Sequence, residues 1–438
     1  MKTYKVSWSA CVALVIASMV GTGVYTSLGF QLLSIPSPFA IVLLWLLGGL
    51  LALCGAFSYA ELACMFPRSG GEYNLLKQIY HPSIGFAAGL VSVVVGFAAP
   101  VALAAIAFGK YFTSVFAGAS ELTASVLALL IVSLVHLRSL KFGSRLQNLI
   151  TFLNVLLMLG LIISGFFFAL PQNVSFIPNA NDVAYILNAP FAVSLMYVMY
   201  SYSGWNAPIY IGDEIADIRK GLSSALILGT IVVLCLYVAL NAAFIYSTPI
   251  DSLKGQLDVA NIAGSSIFGQ IGTGIVGSII CIGLLACMSS MMWIGPRVTK
   301  TMGEDLGILG IFSKTNANGV PVRAILIQLA LALFFILSTT FETVLLFAQS
   351  AMLLSSLFCV LGVIVLRIRK PELERLYSCP LYPLTPLLFL AITTFMLYET
   401  CSLKPYASGF GIAAFVLAVG LYFLLREKKS QNTMKKGA

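Results

Sequence analysis

The sequence predicts an all-α, polytopic membrane protein with about twelve transmembrane helices, and three observations carry this prediction. Of the 438 residues, 59% are hydrophobic and only 9% are charged. Soluble domains carry roughly 25% charged residues, so most of this surface must face lipid. Apolar runs of about 20 residues, long enough to cross a bilayer, recur along the whole chain. All lysines and arginines except Lys110 lie outside these runs.

Twelve apolar runs are the candidate spans, each placed to within several residues at its ends. They are Trp8–Phe30, Ile41–Met65, Ser83–Phe112, Leu122–Leu137, Leu146–Leu170, Ala189–Ile211, Ser224–Tyr246, Ile271–Trp293, Ala324–Leu337, Val344–Leu366, Leu384–Leu397 and Gly409–Leu425. The ninth and eleventh runs are short, and we expect them to extend into flanking residues. The pieces between spans reach about 15 to 20 residues, which leaves no room for a large soluble domain.

The basic residues test this division of the chain. With both termini cytoplasmic, 22 of the 25 lysines and arginines fall on the inner side, and only Lys110, Lys254 and Lys404 fall on the outer side. The positive-inside rule predicts this skew, whereas a missed span would reverse every loop beyond it. We therefore predict a multi-pass protein of the cell (inner) membrane with both termini cytoplasmic. The basic stretch Arg426–Lys436 is expected to lie near anionic headgroups.

Several other classes of site are not indicated. The net charge is +9, but the basic residues form no patch with interleaved aromatics, so we predict no nucleic-acid binding. Most of the nine cysteines lie in apolar runs without a C-x-x-C pair, as buried apolar side chains do. The two histidines, His81 and His136, are far apart in sequence, so no metal site is predicted.

The first span carries a helix-breaking sequence at its middle, Ser18–Gly23. Two glycines around Thr22 lower the cost of unwinding the helix there. If it unwinds, the Thr22 and Gly23 N–H groups begin a half-helix whose N-terminus attracts a carboxylate. The alternative is a glycine-rich face for helix packing.

The sixth span carries a second such sequence, Tyr200–Pro208. Pro208 has no N–H to donate to the Gly204 carbonyl, so we expect a free carbonyl near the middle of the bilayer, suited to an ammonium group. Paired discontinuous helices, here the first of each five-helix half, indicate the binding site of a secondary transporter. A zwitterion fits these two breaks without a charged side chain.

Two other functions remain as alternatives, a membrane enzyme and a ligand sensor built on the same fold. The sequence has no G-x-S-x-G, no H-E-x-x-H and no phosphate-binding loop. Transport of a labelled substrate into vesicles that contain only this protein separates a transporter from both alternatives.

Three further features are candidates for gating. Glu61, near the inner end of the second span, is expected to pair with a cytoplasmic arginine, and a proton-relay role is the alternative. Asp213 and Glu214 can pair with Arg297 or Arg68 at an inner gate, or be solvated charges at a helix end. Tyr200 is either a lid over the site or a core aromatic residue.

Several short motifs occur along the chain in the order in which one known family carries them. They are Gly21–Val24 (G-[ST]-G-[IV]), Tyr59–Leu62 with Phe66–Tyr73 (Y-A-E-L…P-x-[ST]-G-G-x-Y), Tyr202–Asn206 (Y-x-G-W-[ND]), Asp213–Ile215 (E-E-[VI]), Gly295–Arg297 and Pro380–Pro383. In these motifs the chain resembles an amino acid permease of the amino acid-polyamine-organocation superfamily, closest to the L-type amino acid transporters and their bacterial relatives. The resemblance covers nearly the whole chain.

The resemblance implies a fold of two inverted five-helix repeats followed by two extra helices. The repeats would occupy residues 1–170 and 189–368, and residues 380–438 would form the last two helices and the basic tail. The first and sixth helices would be discontinuous, as in leucine-transporter-type folds.

The resemblance also implies roles for residues at the two breaks. Met19, Thr22 and Gly23 would line the site for the substrate backbone. From the sixth helix, Tyr200, Ser201 and Ser203 would offer carbonyls to the amine, Tyr200 would act as an aromatic gate, and Asn206 would lie beside the carboxylate.

The coupling ion is where the chain departs from its relatives. Many bacterial relatives carry a lysine in the fifth helix, linked to proton-coupled or sodium-free transport, where this chain has Asn154. An amide has no proton to exchange. Ser289 and Ser290 lie where sodium-coupled relatives place hydroxyls, although serines in membrane helices often bond their own backbone. The inner loop also differs, since Ala216–Ile218 replaces a K-N-P sequence.

Together these features predict a secondary active transporter that takes up or exchanges L-amino acids with neutral side chains by alternating access. A polyamine or cationic amino acid transporter is the alternative, and an acidic residue facing the pocket would favour it. No cofactor is expected, and the coupling ion, H⁺ or Na⁺, stays open. The expected partners are the small-molecule substrate and the bilayer, while oligomeric state and an accessory subunit are left open.

Overall fold

The computed structural model describes residues 6–138, 141–215, 221–316, 319–338 and 340–434, with only the backbone described for 141–150, 213–214 and 426–434. In these ranges the protein is all-helical, as predicted, and its one β-type pairing is a parallel bridge between Val6 and Ile215. The inner-loop residues Ala216–Ile218 and the side chains of the basic tail lie outside the described part.

The helices follow one another in this order: α1 (Trp8–Met19), α2 (Thr22–Leu32), α3 (Pro38–Met65), α4 (Glu72–Ile79), α5 (Pro82–Val91), α6 (Ala99–Val115), α7 (Glu121–Arg138), α8 (Lys141–Phe167), α9 (Ala180–Ile186), α10 (Ala189–Tyr202), α11 (Ser223–Ser247), α12 (Ile250–Leu253), α13 (Val259–Phe268), α14 (Gln270–Asp305), α15 (Val322–Ser338), α16 (Phe341–Arg369), α17 (Leu384–Leu403) and α18 (Pro405–Met434). A π-helical stretch, Ser92–Ala98, joins α5 to α6. Short 3-10 helices cover Ala207–Glu214 and Gly307–Leu309.

Nine helices of the described part are long and apolar enough to cross a membrane, and a tenth results if the bent pair Ala180–Ile186 and Ala189–Gly212 is one span. The protein is therefore a multi-pass membrane protein. The fifth and ninth predicted spans coincide with the shorter apolar helices Thr151–Phe167 and Val322–Ser338, so the count of twelve stays a prediction. The eleventh span is longer than its apolar run, since α17 continues to Leu403.

Local sequence explains where several of these helices begin. Ser37 caps α3 by accepting a hydrogen bond from the Ala40 N–H at 3.1 Å, and Pro38 occupies the first turn. Proline is favoured there because the first N–H groups of a helix have no partner within the helix. Thr340 caps α16 in the same way, through the Thr343 N–H at 3.4 Å.

The helices pack through small residues and leave large apolar side chains for lipid. A Cβ atom on Gly48 of α3 would lie 2.3 Å from the Val198 side chain of α10, so only glycine lets these helices approach so closely. Ile131, Phe152 and Leu417 remain mostly exposed on the outside of the bundle. Such side chains need an apolar solvent, which the bilayer supplies.

Candidate functional site

The first span is interrupted in the middle. Helix α1 ends at Met19 and α2 begins at Thr22. Gly21 has no side chain with which to cap α2, and it packs against Cys287 of α14, whose sulfur would lie 3.0 Å from an added Cβ atom. At the end of α1, the Met19 carbonyl accepts a hydrogen bond from the Tyr237 hydroxyl at 2.6 Å. The Met19 carbonyl at this interruption is thus held by a side chain of the neighbouring helix α11.

The sixth span changes conformation after Tyr202, where α10 ends. Gly204 has a φ of +106°, a conformation that residues with a Cβ rarely adopt, and a 3-10 helix then begins at Ala207. Our expectation that Pro208 leaves the Gly204 carbonyl without a donor is wrong. Because the turn tightens, the Ala207 N–H donates to that carbonyl at 3.0 Å.

The two interruptions touch each other. A Cβ atom on Gly204 would lie 2.5 Å from the Ser18 carbonyl oxygen, well inside normal contact distance. The absence of a side chain at Gly204 therefore allows the second interruption to lie directly on the end of α1. Sequence separation hides this contact, since the two residues are in different halves of the chain.

Four predicted site residues form the contact between α2 and α10. A Cβ atom on Gly23 would lie 2.5 Å from the Ser201 hydroxyl oxygen, and Thr22 Oγ1 lies 3.1 Å from the Tyr200 hydroxyl. Ser201 also donates to the Tyr197 carbonyl at 2.9 Å. These groups satisfy one another, so no space for a substrate exists between Gly23 and Ser201 in this conformation.

Tyr200 joins the two sides of this contact. Its ring is buried, and its carbonyl accepts hydrogen bonds from the Ser203 N–H at 3.0 Å and the Ser203 hydroxyl at 2.6 Å. A carbonyl oxygen has two lone pairs, so this one has no capacity left for an ammonium group. This turn would have to rearrange before the Tyr200 carbonyl could bind the substrate amine, as the resemblance implies.

Ser203 and Asn206 line two adjoining cavities beside the interruptions. The space between atoms amounts to about 320 Å³ in one and about 400 Å³ in the other, and both figures include open solvent. Both are lined by Ser203, Gly204, Asn206 and Met352. Their remaining described lining is apolar, aromatic, hydroxyl or amide, and neither includes a charged side chain.

Two buried polar atoms at these cavities have no protein partner among the described residues. They are the Ser18 hydroxyl in the larger cavity and Gln349 Oε1 in the smaller one. Leaving a buried polar group without a hydrogen bond costs about 1–3 kcal/mol, so such groups indicate a place for a polar ligand or water. Sequence reasoning missed Gln349, although a lone amide inside an apolar span was visible.

Sequence reasoning also missed the buried carboxyl group of Glu72, quoted above only as part of a motif. Its Oε1 accepts hydrogen bonds from the Tyr59 hydroxyl at 2.5 Å, the Ser356 hydroxyl at 3.2 Å and Asn206 Nδ2 at 3.3 Å. Burial raises the pKa of Glu72 to about 7, and the three donors oppose that rise. The carboxyl group is thus one hydrogen bond from the cavities.

The predicted pairing of Glu61 with an arginine is confirmed, and the cytoplasmic location of that arginine stays a prediction. Arg367 donates to both carboxylate oxygens, at 3.1 and 2.7 Å, and Arg375 lies 3.4 Å away. The Cys379 backbone N–H adds a third contact at 2.7 Å. The carboxylate is buried among these donors. Its contacts connect α3 to α16 and to the loop before α17.

Among the described residues, Arg68 pairs with an acid that the sequence did not single out, Asp305, and its predicted pairing with Asp213 or Glu214 stays a prediction. It binds Asp305 at 2.8 Å, and Lys77 and Tyr73 bind the same carboxylate at 2.8 Å each. The predicted partners Asp213 and Glu214 have side chains outside the described residues. The guanidinium of Arg297 lies over the Trp293 ring at 4.4 Å.

The three coupling candidates have different surroundings. Asn154 packs on Gly283, where a Cβ atom would lie 2.3 Å from its Oδ1. Ser289 lies 2.8 Å from His136 Nε2, so it bonds a neighbouring helix and not its own backbone. The buried Ser290 hydroxyl has no partner in the part of the chain that the structure describes. No cluster of metal-ligating side chains occurs in that part either.

A bundle of membrane-crossing helices, with cavities that carry uncharged polar groups where two helices are interrupted, is typical of a membrane transporter. The comparison with known families agrees with this class. Residues 6–425 match the amino acid permease family, and the chain belongs to that family, within the superfamily that its motifs resemble. It is a transporter and not an enzyme.

Similar proteins cover almost the whole chain at low identity. The serine/threonine exchanger SteT of Bacillus subtilis is 25% identical over 95% of both chains. The rabbit (Oryctolagus cuniculus) large neutral amino acids transporter small subunit 2 is 25% identical over 95% of this chain and 79% of its own. The mouse (Mus musculus) b(0,+)-type amino acid transporter 1 is 22% identical over 94% of this chain and 86% of its own.

Proposed function

We propose that this chain is a secondary active transporter that takes up or exchanges L-amino acids with neutral side chains by alternating access. The observation that carries the proposal is the pair of cavities at the two helix interruptions. Their lining holds unpartnered polar atoms of Ser18 and Gln349 and no charged side chain in the described part of the chain. A zwitterion with an uncharged side chain has the matching chemistry.

The carboxylate of the substrate is expected at the start of α2. The Thr22 and Gly23 N–H groups lie at the N-terminus of that helix, where partial positive charge favours an anion. For the substrate to reach Gly23, Ser201 must move away, because the two residues are in direct contact. Met19, Tyr200, Ser203 and Asn206 complete the proposed binding site, and Tyr200 is its proposed gate.

The lining distinguishes neutral substrates from the cationic alternative. A diamine or cationic amino acid needs an acceptor for its second ammonium group, and a buried charge without a partner is costly. Glu72 lies behind the cavity wall, since its carboxyl group bonds the lining side chains of Asn206 and Ser356. Two of the similar proteins are also named for serine/threonine and for large neutral amino acids.

Alternating access is a motion of one repeat against the other around the binding site. We therefore propose the inverted-repeat architecture for the whole chain. Residues 1–170 and 189–368 would form the inverted repeats, followed by two helices and a basic tail in 380–438. Both termini would face the cytoplasm of a cell (inner) membrane. The proposed coupling ion is H⁺ or Na⁺. The candidate residues for coupling are Asn154, Ser289 and Ser290.

Exchange in liposomes tests the proposal. Purified protein is reconstituted, loaded with unlabelled serine, and supplied outside with labelled serine, leucine, arginine or putrescine, with and without a sodium or proton gradient. We expect exchange of labelled serine or leucine and a rise in melting temperature with the same compounds. Exchange of putrescine or arginine alone would establish the alternative, and no exchange of any of them would refute both.

A further inference from the structure

Glu72 occupies a junction of four parts of the fold. It is the first residue of α4, and its carboxyl group reaches Tyr59 on α3, Ser356 on α16 and Asn206 in the interrupted sixth span. Gly71 just before it has a φ of +59° and leaves no space for a side chain, since a Cβ atom would lie 2.0 Å from Tyr210. The tight turn at Gly71 therefore directs Glu72 into the bundle.

The surroundings of Glu72 differ from those of every ion-paired acid described above. Glu61 and Asp305 each have two cationic partners. In the described part of the chain Glu72 has none. The titratable groups that face it from other elements are the Tyr59 and Tyr210 hydroxyls and the Cys359 thiol. These groups are ordinarily neutral at pH 7.

We propose, on the basis of the transport function above, that Glu72 is a proton-binding site whose protonation state controls the amide of Asn206 and thereby the affinity for the substrate. An ionised carboxylate only accepts hydrogen bonds, so it engages the NH₂ group of Asn206. A protonated Glu72 donates one hydrogen bond, which the Asn206 carbonyl can accept. The NH₂ group is then released toward the cavity.

The direction of the effect follows from charge. A released NH₂ group can donate to the substrate carboxylate, whereas an ionised Glu72 behind Asn206 repels that carboxylate. Substrate should therefore bind more tightly when Glu72 is protonated, and binding should take up a proton from solution by reciprocal linkage. The step moves one proton from solvent to one carboxylate, exchanges the hydrogen bond between Asn206 and Glu72, and breaks no covalent bond in the protein.

The expected size follows from the fraction of protein that is protonated. With a pKa of about 7, this fraction falls about tenfold between pH 6 and pH 8. The apparent affinity for a neutral amino acid should fall by about the same factor. Folding should respond in the same direction: between the ordinary carboxyl pKa and about 7, only the folded protein holds this proton, so stability falls as pH rises through that window.

Two variants test the proposal by their pH profiles. Glu72→Gln imitates the neutral acid, so binding of labelled serine or leucine should stay at the tight, low-pH value from pH 6 to pH 8. Tyr59→Phe keeps the carboxyl group but removes a donor that favours its ionised form, so the midpoint of the profile should move to higher pH. Glu342→Gln is the matched control. Its carboxyl group also accepts from a tyrosine, Tyr197, but pairs with Lys404.

The outcomes separate this proposal from the transport function. If wild-type protein binds a neutral amino acid and Glu72→Gln keeps the full pH dependence, Glu72 is not the proton site. If Glu72→Gln does not fold, an unmoved midpoint in Tyr59→Phe overturns the proposal, and a midpoint moved upward supports it. If wild-type protein binds no amino acid at any pH, the transport function itself has failed.

Discussion

At the scale of single residues, two glycines decide how closely the interrupted helices approach. Gly204 lies on the Ser18 carbonyl, and Gly23 lies on Ser201. Neither contact leaves room for a methyl group. The first holds the two interruptions together, and the second closes the space beside the start of α2, so the Gly23 contact must open when a substrate binds.

Replacing Gly23 with leucine should abolish substrate binding. The added side chain overlaps Ser201 and fills the position next to the α2 N–H groups, and overpacking of this kind costs about 1–3 kcal/mol. We expect at least about a tenfold loss of affinity in thermal-shift titrations with neutral amino acids, with protein still present in the membrane. Gly420→Leu is the control, because no atom lies within 4 Å of the added Cβ. Retained affinity in Gly23→Leu would exclude the proposed carboxylate site.

Glu61→Gln should destabilise the protein, because two arginines lose the carboxylate that they share. The substitution leaves Arg367 and Arg375 facing a neutral amide, and breaking a buried ion pair in this way costs about 3–5 kcal/mol. Arg367 is partly exposed, so the lower end of that range is expected. A lowered melting temperature would show the loss. The partly exposed Glu342, changed to glutamine, should have a much smaller effect, and equal melting temperatures for both variants would contradict this account.

At the scale of elements, the short helix α4 connects the cavities to one end of the bundle. Its first residue, Glu72, bonds Asn206, and its Tyr73 and Lys77 bond Asp305 at the end of α14. Asp305 is also held by Arg68 from the loop before α4. The helix is thus fixed at two places, and motion of α14 relative to α4 would break the second set of contacts.

Asp305→Asn should loosen α4 without unfolding the protein. The amide cannot hold two cations and a phenol, and pairs as exposed as these contribute about 1 kcal/mol or less each. Faster amide hydrogen exchange in Glu72–Ile79 is the expected result. The neighbouring Glu304→Gln provides a matched control, since among the described residues Glu304 pairs only with Lys300 one turn away. Equal exchange in α4 for both variants would mean that Asp305 does not hold this helix.

At the scale of the whole molecule, the distribution of basic residues predicts which loops face the cytoplasm. The prediction places the turn at Gly118, between α6 and α7, outside, and the turn at Gly319, before α15, inside. Both glycines have positive φ and no atom within 4 Å of an added Cβ, so insertions there should disturb little packing.

Epitope tags inserted after Gly118 and Gly319 should differ in accessibility. In intact cells an antibody should reach the tag at Gly118 only, and after permeabilisation it should reach both. Activity of each tagged protein serves as the control for folding. Labelling of the Gly319 tag in intact cells would reverse the predicted orientation or change the number of spans before it.

Much of the fold was predictable because the length of an apolar run depends only on contiguous residues. Runs such as Ile41–Met65 and Val344–Leu366 coincide with α3 and α16, which the structure shows to be capped by Ser37 and Thr340. The positions of the interruptions were predictable for the same reason, since Gly21 and Gly204 favour them locally. The free carbonyl expected at Gly204 was wrong because the following 3-10 turn supplies Ala207 as a donor.

The sequence by itself determined the membrane class, the helices and the places where two of them are interrupted, because bilayer thickness and backbone hydrogen bonding act on contiguous residues. Only the tertiary structure decided what surrounds those places: Gly204 on Ser18, Gln349 at the cavity wall, and Glu72 with no cationic partner among the described residues. Burial and the partners of a polar group depend on residues distant in the chain, so no local pattern could reveal that Glu61 has charged partners in the described part of the chain and Glu72 has none.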